Sequence, residues 1–154
     1  MWKINFLSLF VCINIAFSPV LAVNLNYFRT CIKDHCFDAR VADNPVSRSK
    51  GLMGEVQLPI DEGMLFIFPM ETKPGFWMNQ MKFGLDIIFI NDEDTIVYMV
   101  KNAPACNQKN KKGEPDCPVF TPTRPASKVL EINAGLSNKY GIHVGDKVVY
   151  FIDN

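Results

Sequence analysis

A chain of 154 residues has the length of a single domain and can bury a substantial hydrophobic core. Sixteen basic side chains balance sixteen acidic ones, so charge gives no reason to expect binding to nucleic acid or to an anionic membrane surface. Apolar residues make up 48% of the chain and charged residues 21%, which argues against a disordered protein or a coiled coil.

The first 22 residues have the pattern of a cleaved secretory signal peptide. Lys3 supplies the basic start, an apolar stretch follows over residues 4–17, and Val20-Leu21-Ala22 places compact residues where a signal peptidase cleaves. The stretch is shorter than the roughly 20 residues of a membrane-spanning helix. We therefore predict cleavage after Ala22, a single domain over residues 23–154 with no membrane span, and a periplasmic or extracellular location.

Removal of the signal leaves four cysteines, Cys31, Cys36, Cys106 and Cys117. An even number in an exported chain favours two disulfides. Of the three possible pairings, the local one, Cys31 with Cys36 and Cys106 with Cys117, closes two short loops. The alternative is a four-thiolate metal site, but zinc sites usually carry close Cys-x-x-Cys pairs, which these spacings do not provide.

A hairpin and a short helix are expected at the start of the domain. Runs of β-forming residues at 25–32 and 36–42 predict two paired strands. Asp43-Asn44-Pro45 is a helix-start signal, because Asn or Asp caps free amides and proline suits the first helical position. We expect this helix to run to about Met53.

Further strands are predicted in the middle of the chain. Residues 64–68, 76–78 and 85–90 are apolar or aromatic runs bounded by glycine, proline or charged residues, which is typical of central strands. Residues 95–100 alternate in polarity and predict the return strand of a second hairpin.

The last third of the chain begins with a segment rich in proline, lysine and asparagine. Residues 101–125 include the second cysteine pair and predict a long ordered loop held by a disulfide. A strand is expected over 127–133, a helical turn over 136–140 and a final strand over 147–152. The sequence therefore predicts a mainly β protein, a single compact antiparallel barrel or jelly-roll-like sandwich with two short helices.

Five motifs follow one another in a recognisable order. They are G-L-M (51–53), L-P-x-D-E-G-M-L-F-x-F (58–68), F-W-M (76–78), L-D-I-I-F-I (85–90) and V-L-E-I-N-A-G (129–135). In this order the chain resembles the family called domain of unknown function 192, small and often exported prokaryotic proteins, over about residues 37–152. The resemblance implies a compact jelly-roll or barrel fold and supports pairing Cys106 with Cys117. It implies no established activity.

The chain departs from the family pattern at two places. Glu55 stands where a basic residue usually follows G-L-M, and Asn79-Gln80-Met81 stands where Lys-Asn-Thr usually follows F-W-M. If these positions line a site that the family shares, the present chain has altered it.

Three carboxylates, Glu62, Asp86 and Glu131, lie inside or beside apolar runs. We expect Glu62 and Asp86 to converge on one cleft with Trp77, as carboxylates flanking an aromatic platform do in sugar-binding sites. Gln80 completes the predicted set of ligand-contacting residues. The alternative is that these carboxylates only form structural networks with arginines.

The sequence contains no phosphate loop, dinucleotide fingerprint, zinc-protease motif or nucleophile elbow, and we predict no cofactor. The preferred interpretation is an exported binding or accessory module for a small molecule or an envelope partner. The enzyme alternative is a hydrolase of an envelope polymer with Glu62 and Asp86 as acid and base.

A third interpretation is a periplasmic copper(I)-binding protein. Trp77 stands beside the pair Met78 and Met81, and thioether sulfur favours copper(I); His143 is a further candidate ligand. The competing explanation is that both methionines fill gaps in the core.

Overall fold

The computed structural model describes residues 27–151. The strands are β1 (Tyr27–Ile32), β2 (His35–Ala42), β3 (Glu62–Thr72), β4 (Phe76–Trp77), β5 (Leu85–Ile90), β6 (Ile96–Ala103), β7 (Val119–Phe120), β8 (Ala126–Asn133) and β9 (Val148–Phe151). The helices are α1 (Pro45–Lys50) and α2 (Leu136–Lys139). The predicted signal peptide and the outermost residues of the first and last predicted strands lie outside the described range.

Seven strands form one curled sheet in the order β6-β5-β8-β3-β2-β1-β9. Its strand pairs are antiparallel except β2 with β3, which is parallel. The two edges meet at one end, where Thr95 bridges Lys147 and the amide of Val148 donates to the carbonyl of Asp94 at 2.8 Å. The resulting half-barrel with two short helices confirms the predicted fold class.

The first helix begins as predicted and ends early. The Asn44 side chain accepts a hydrogen bond from the amide of Ser47 at 3.0 Å, and the Ser47 hydroxyl accepts one from the amide of Asn44 at 3.2 Å. The helix ends at Lys50 rather than near Met53, because Gly51 turns the backbone to a φ of 49° that favours glycine. Among residues 27–151, no helix is long and apolar enough to cross a membrane.

Alternation along the strands divides the apolar side chains into two cores. The inner core lies inside the curl, since it joins both edge strands; it comprises Ile32, Phe37, Ala39, Leu65, Ile88, Ile90, Ile96, Leu130, Ile132, Leu136, Ile142 and Val148. The outer core lies on the opposite face; its larger members are Leu52, Met64, Phe66, Phe76, Met78, Met81, Leu85, Ile87, Phe89 and Val129. A second layer, made of α1, the segment after it and the small β4–β7 sheet, packs over this outer core.

The cysteines form the two local disulfides that the sequence predicts. Cys31 bonds to Cys36 across the β1–β2 hairpin, and Cys106 bonds to Cys117. The predicted loop over residues 101–125 is shorter than expected. β6 continues to Ala103, and β7 forms because it pairs antiparallel with β4.

The backbone of Cys106 also ties the loop to the turn after β4. The amide of Cys106 donates to the carbonyl of Met78, and the amide of Gln80 donates to the carbonyl of Cys106, each at 3.1 Å. The position of this turn therefore depends on the loop that the disulfide closes.

Candidate functional site

A cavity of about 450 Å³ lies between the outer face of the main sheet and the second layer. It is lined by Pro45, residues 48–53, Phe66, Phe68, residues 74–77, Met81 and Glu131. A volume of this size is in the range of sites that hold a small organic molecule.

Aromatic rings form one wall of the cavity. Phe76 packs edge-on against Phe66 at a centroid distance of 4.9 Å and against Phe68 at 6.5 Å. Behind this wall, Phe89 meets Phe76 edge-on at 5.7 Å. Trp77 also lines the cavity but is 44% exposed, so it lies where the cavity opens to solvent. The edge-to-face packing fixes the rings and gives the cavity a rigid apolar surface.

Glu131 contributes the one acidic side chain of the lining. It lies in the middle of β8, between Met64 of β3 and Ile87 of β5, and the residue is 5% exposed. Within residues 27–151 no hydrogen bond reaches its carboxyl group. Burial raises the pKa of Glu131 to about 8, because apolar neighbours disfavour the charged form. The group is therefore mostly a neutral carboxylic acid at pH 7, able to donate a hydrogen bond.

Two basic side chains of α1, Arg48 and Lys50, also line the cavity. One terminal nitrogen of Arg48 donates to the carbonyls of Asp43 at 2.6 Å and Ile67 at 2.9 Å, and the guanidinium lies 5.1 Å from the centroid of Phe68. These contacts hold Arg48 in place. Lys50 is exposed at the end of the helix.

Of the predicted ligand-contacting residues, Trp77 lines the cavity, whereas Glu62 and Gln80 do not. Glu62 is half-buried at the start of β3. Gln80 is exposed in the turn after β4, with a φ of 59°, and its backbone amide and carbonyl join that turn to Cys106 and Gly54.

Asp86 has a structural role that the sequence did not reveal. Its buried carboxylate accepts hydrogen bonds from the amide of Asn102 at 2.7 Å, the amide of Gly135 at 3.1 Å, and the amide and hydroxyl of Ser137 at 2.8 and 2.6 Å. It thereby satisfies free amides at the start of α2. These four hydrogen bonds occupy the acceptor positions of the Asp86 carboxylate.

The structure does not bring Glu62 and Asp86 into one cleft. Alternation places Glu62 on the face of Met64, in the outer core, and Asp86 on the face of Ile88, in the inner core. The two carboxylates thus point to opposite sides of the main sheet. The acid–base pair expected for the hydrolase alternative is not formed.

The candidate copper ligands occupy different surroundings. Met78 and Met81 are buried in the outer core, 1% and 3% exposed, and a turn joins them through the Met81 amide and the Met78 carbonyl at 3.2 Å. Met81 lines the cavity. His143 is exposed in the loop before β9, outside the lining. Residues 27–151 contain no group of three or more His, Cys, Asp or Glu side chains placed to hold a metal.

The positions that depart from the family pattern lie around the second layer. Glu55 accepts a hydrogen bond from Arg40 at 2.9 Å in a half-buried ion pair. Asn79 is buried and bridges Cys106. Met81 is the one of these positions that lines the cavity.

Sequence reasoning singled out Glu131 as a carboxylate among apolar residues but did not place it in the site. A signal was available, because the run V-L-E-I has apolar residues at every neighbouring position. A carboxylate there is buried whichever face it occupies. The sequence analysis considered arginines only as partners for carboxylates, and the cavity is what gives Arg48 a candidate role.

Comparison with known proteins places the chain in a family. Residues 28–150 match DUF192, a family described as uncharacterized. A UPF0127 protein of Pyrococcus furiosus is 25% identical over 121 residues, covering 75% of the present chain and 89% of that protein.

Two solved structures are also similar. A protein of unknown function from Novosphingobium aromaticivorans is 30% identical, with a TM-score of 0.68, over 80% of the present chain and 83% of its own. A chain described as a putative transcription regulator from Sinorhizobium meliloti is 28% identical, with a TM-score of 0.69, over 80% and 92% respectively. The family match covers most of the chain and confirms the resemblance seen in the motifs: the protein is a member of the DUF192 family.

Proposed function

We propose that the protein is an exported binding module that holds a small molecule in the cavity between α1 and β4. The observation that carries this proposal is the state of Glu131. Its carboxyl group lies in the wall of the cavity beside an aromatic surface and makes no hydrogen bond within residues 27–151. A carboxyl group without a protein partner is free to form a hydrogen bond with a ligand that enters the cavity, and such a bond adds affinity.

Binding fits this cavity better than hydrolysis of a polymer. Glycoside hydrolysis generally uses two carboxyl groups that flank the scissile bond. Among the described residues, the lining supplies one carboxyl group, that of Glu131, and the predicted pair of Glu62 and Asp86 is separated by the sheet. A rigid aromatic wall and one polar anchor are instead typical of a binding pocket.

Titration with 3-phenylpropanamide tests the proposal, with Trp77 fluorescence as the readout. The probe carries one aromatic ring and a neutral polar group that can exchange hydrogen bonds with Glu131. We expect a saturable change in emission that is absent in Trp77→Phe, because Trp77 is the one tryptophan of a chain that begins at Val23.

A pair of variants on α1 shows whether the cavity is the site. Ser49→Phe places a ring in the lining and should abolish the response, whereas Val46→Phe, on the same helix but 80% exposed and outside the lining, should leave it unchanged. No saturable response in the unmodified protein, or equal responses in both variants, would overturn the proposal.

Export is proposed on two grounds. The first 22 residues have a signal-peptide pattern, and both cysteine pairs are bonded, as is typical of oxidising compartments. The intact mass of the protein from the exported fraction should correspond to a chain that begins at Val23 and lacks four hydrogens relative to the reduced form. A chain that retains Met1 to Ala22, or four free thiols, would contradict export.

A further inference from the structure

The charged residues that line the cavity indicate which chemical class of ligand it binds. This inference rests on the proposed binding function. We infer that the ligand is a small organic carboxylate with an apolar body. Its negative charge lies near Arg48 and Lys50, and its body packs against Phe76 and Trp77.

The balance of ionisable groups in the lining supports an anion. Arg48 and Lys50 are the basic residues of the lining, and Glu131 is its acidic residue. Because burial holds Glu131 largely in its neutral form at pH 7, the two cations are not offset within the cavity. Charges in a partly desolvated cleft interact more strongly than in water. The cavity therefore attracts a negative ligand and repels a positive one.

The geometry of Arg48 suits a carboxylate. One terminal nitrogen is committed to the carbonyls of Asp43 and Ile67, and the guanidinium is also held against the ring of Phe68. Within residues 27–151 its other two nitrogens make no hydrogen bond to the protein. A fixed, planar guanidinium with free donors binds a carboxylate with little further loss of side-chain freedom.

Glu131 contributes by remaining protonated. From α1, the groups that share its cavity are Arg48 and Lys50, while the neighbouring positions of β3 and β5 carry Met64 and Ile87, which do not titrate. If Glu131 ionises, a second negative charge enters the cavity and opposes the ligand. The affinity for a carboxylate should therefore fall as the pH rises through about 8.

Three probes with one body and different head groups test the inference: 3-phenylpropionate, 3-phenylpropanamide and 3-phenylpropylammonium. At pH 7 we expect the carboxylate to bind about tenfold more tightly than the amide, and the ammonium more weakly than either. Arg48→Gln and Lys50→Gln should each reduce the preference for the carboxylate. Lys111→Gln, which removes an exposed charge outside the cavity, should not. Retained amide binding shows that the cavity is intact in each variant.

A pH series provides a second readout. Carboxylate affinity should decrease between pH 7 and 9 in the unmodified protein and stay constant in Glu131→Gln. Equal affinities for carboxylate and amide, or a preference for the ammonium, would overturn the inference while leaving the binding function in place. If none of the three probes bound, both proposals would fail.

Discussion

The buried carboxyl group of Glu131 should make the stability of the protein depend on pH in a way that one substitution removes. Its pKa is about 8 in the folded protein, against an ordinary value of 4.5. Between these two values the folded state holds more protons than the unfolded state. Stability therefore falls as the pH rises from about 4.5, and the loss is complete above about 8.

The size of the effect follows from the difference between the two pKa values. A difference of about 3.5 corresponds to roughly 5 kcal/mol of unfolding free energy, at about 1.4 kcal/mol for each pH unit. Glu131→Gln keeps the shape of the side chain and removes the ionisation. We therefore compare the two proteins by the difference in their unfolding free energies, unmodified protein minus variant. This difference should fall by roughly 5 kcal/mol between pH 4.5 and 9.

Denaturant unfolding of both proteins at a series of pH values, with the disulfides intact, measures this difference. All other titrating groups are common to the two proteins, so their contributions cancel to a first approximation. Two stability curves that run parallel from pH 4.5 to 9 would show that Glu131 is not held neutral by burial.

Four further variants test the framework around the site. Asp86→Asn should destabilise the protein by about 2–4 kcal/mol in thermal or denaturant unfolding, because charge-assisted bonds to several amides are lost, and Ser137→Ala should cost less; equal effects would contradict this role. Replacing Cys106 and Cys117 together by serine should cost about 3 kcal/mol in the same assay, the chain-entropy value for a loop of this length, and an unchanged midpoint would argue against it. Asn44→Ala should cost about 1 kcal/mol through loss of the helix cap, measured as a lower urea midpoint; no change would show that the cap is energetically neutral.

Much of the fold could be predicted because its signals are local. The strands lie in apolar runs bounded by breakers, and Asn44 before Pro45 marks the start of α1. The parallel pairing of β2 with β3 had no such signal, since it depends on how the chain returns after α1. β7 was missed because two residues inside a proline-rich segment show no periodicity, and they form a strand only by pairing with β4.

The site was less predictable, because burial of a carboxylate can be foreseen more easily than its partners. Asp86 and Glu131 lie in similar apolar strands, and the sequence gives no means of ranking them. The groups that satisfy Asp86 include Ser137, 51 residues away along the chain, whereas Glu131 meets no such group within the described residues. Trp77 lines the cavity and is partly exposed, and its contact with a ligand stays a prediction.

The most direct test of the binding cavity is a methyl NMR titration of the protein labelled with ¹³C-methyl methionine, using 3-phenylpropionate. Met53 and Met81 line the cavity, whereas Met70 is 65% exposed and Met99 packs against the inner core. We predict saturable shifts of the Met53 and Met81 methyl signals with little change at Met70 and Met99. Unchanged signals at Met53 and Met81, or shifts of equal size at all four positions, would contradict this prediction.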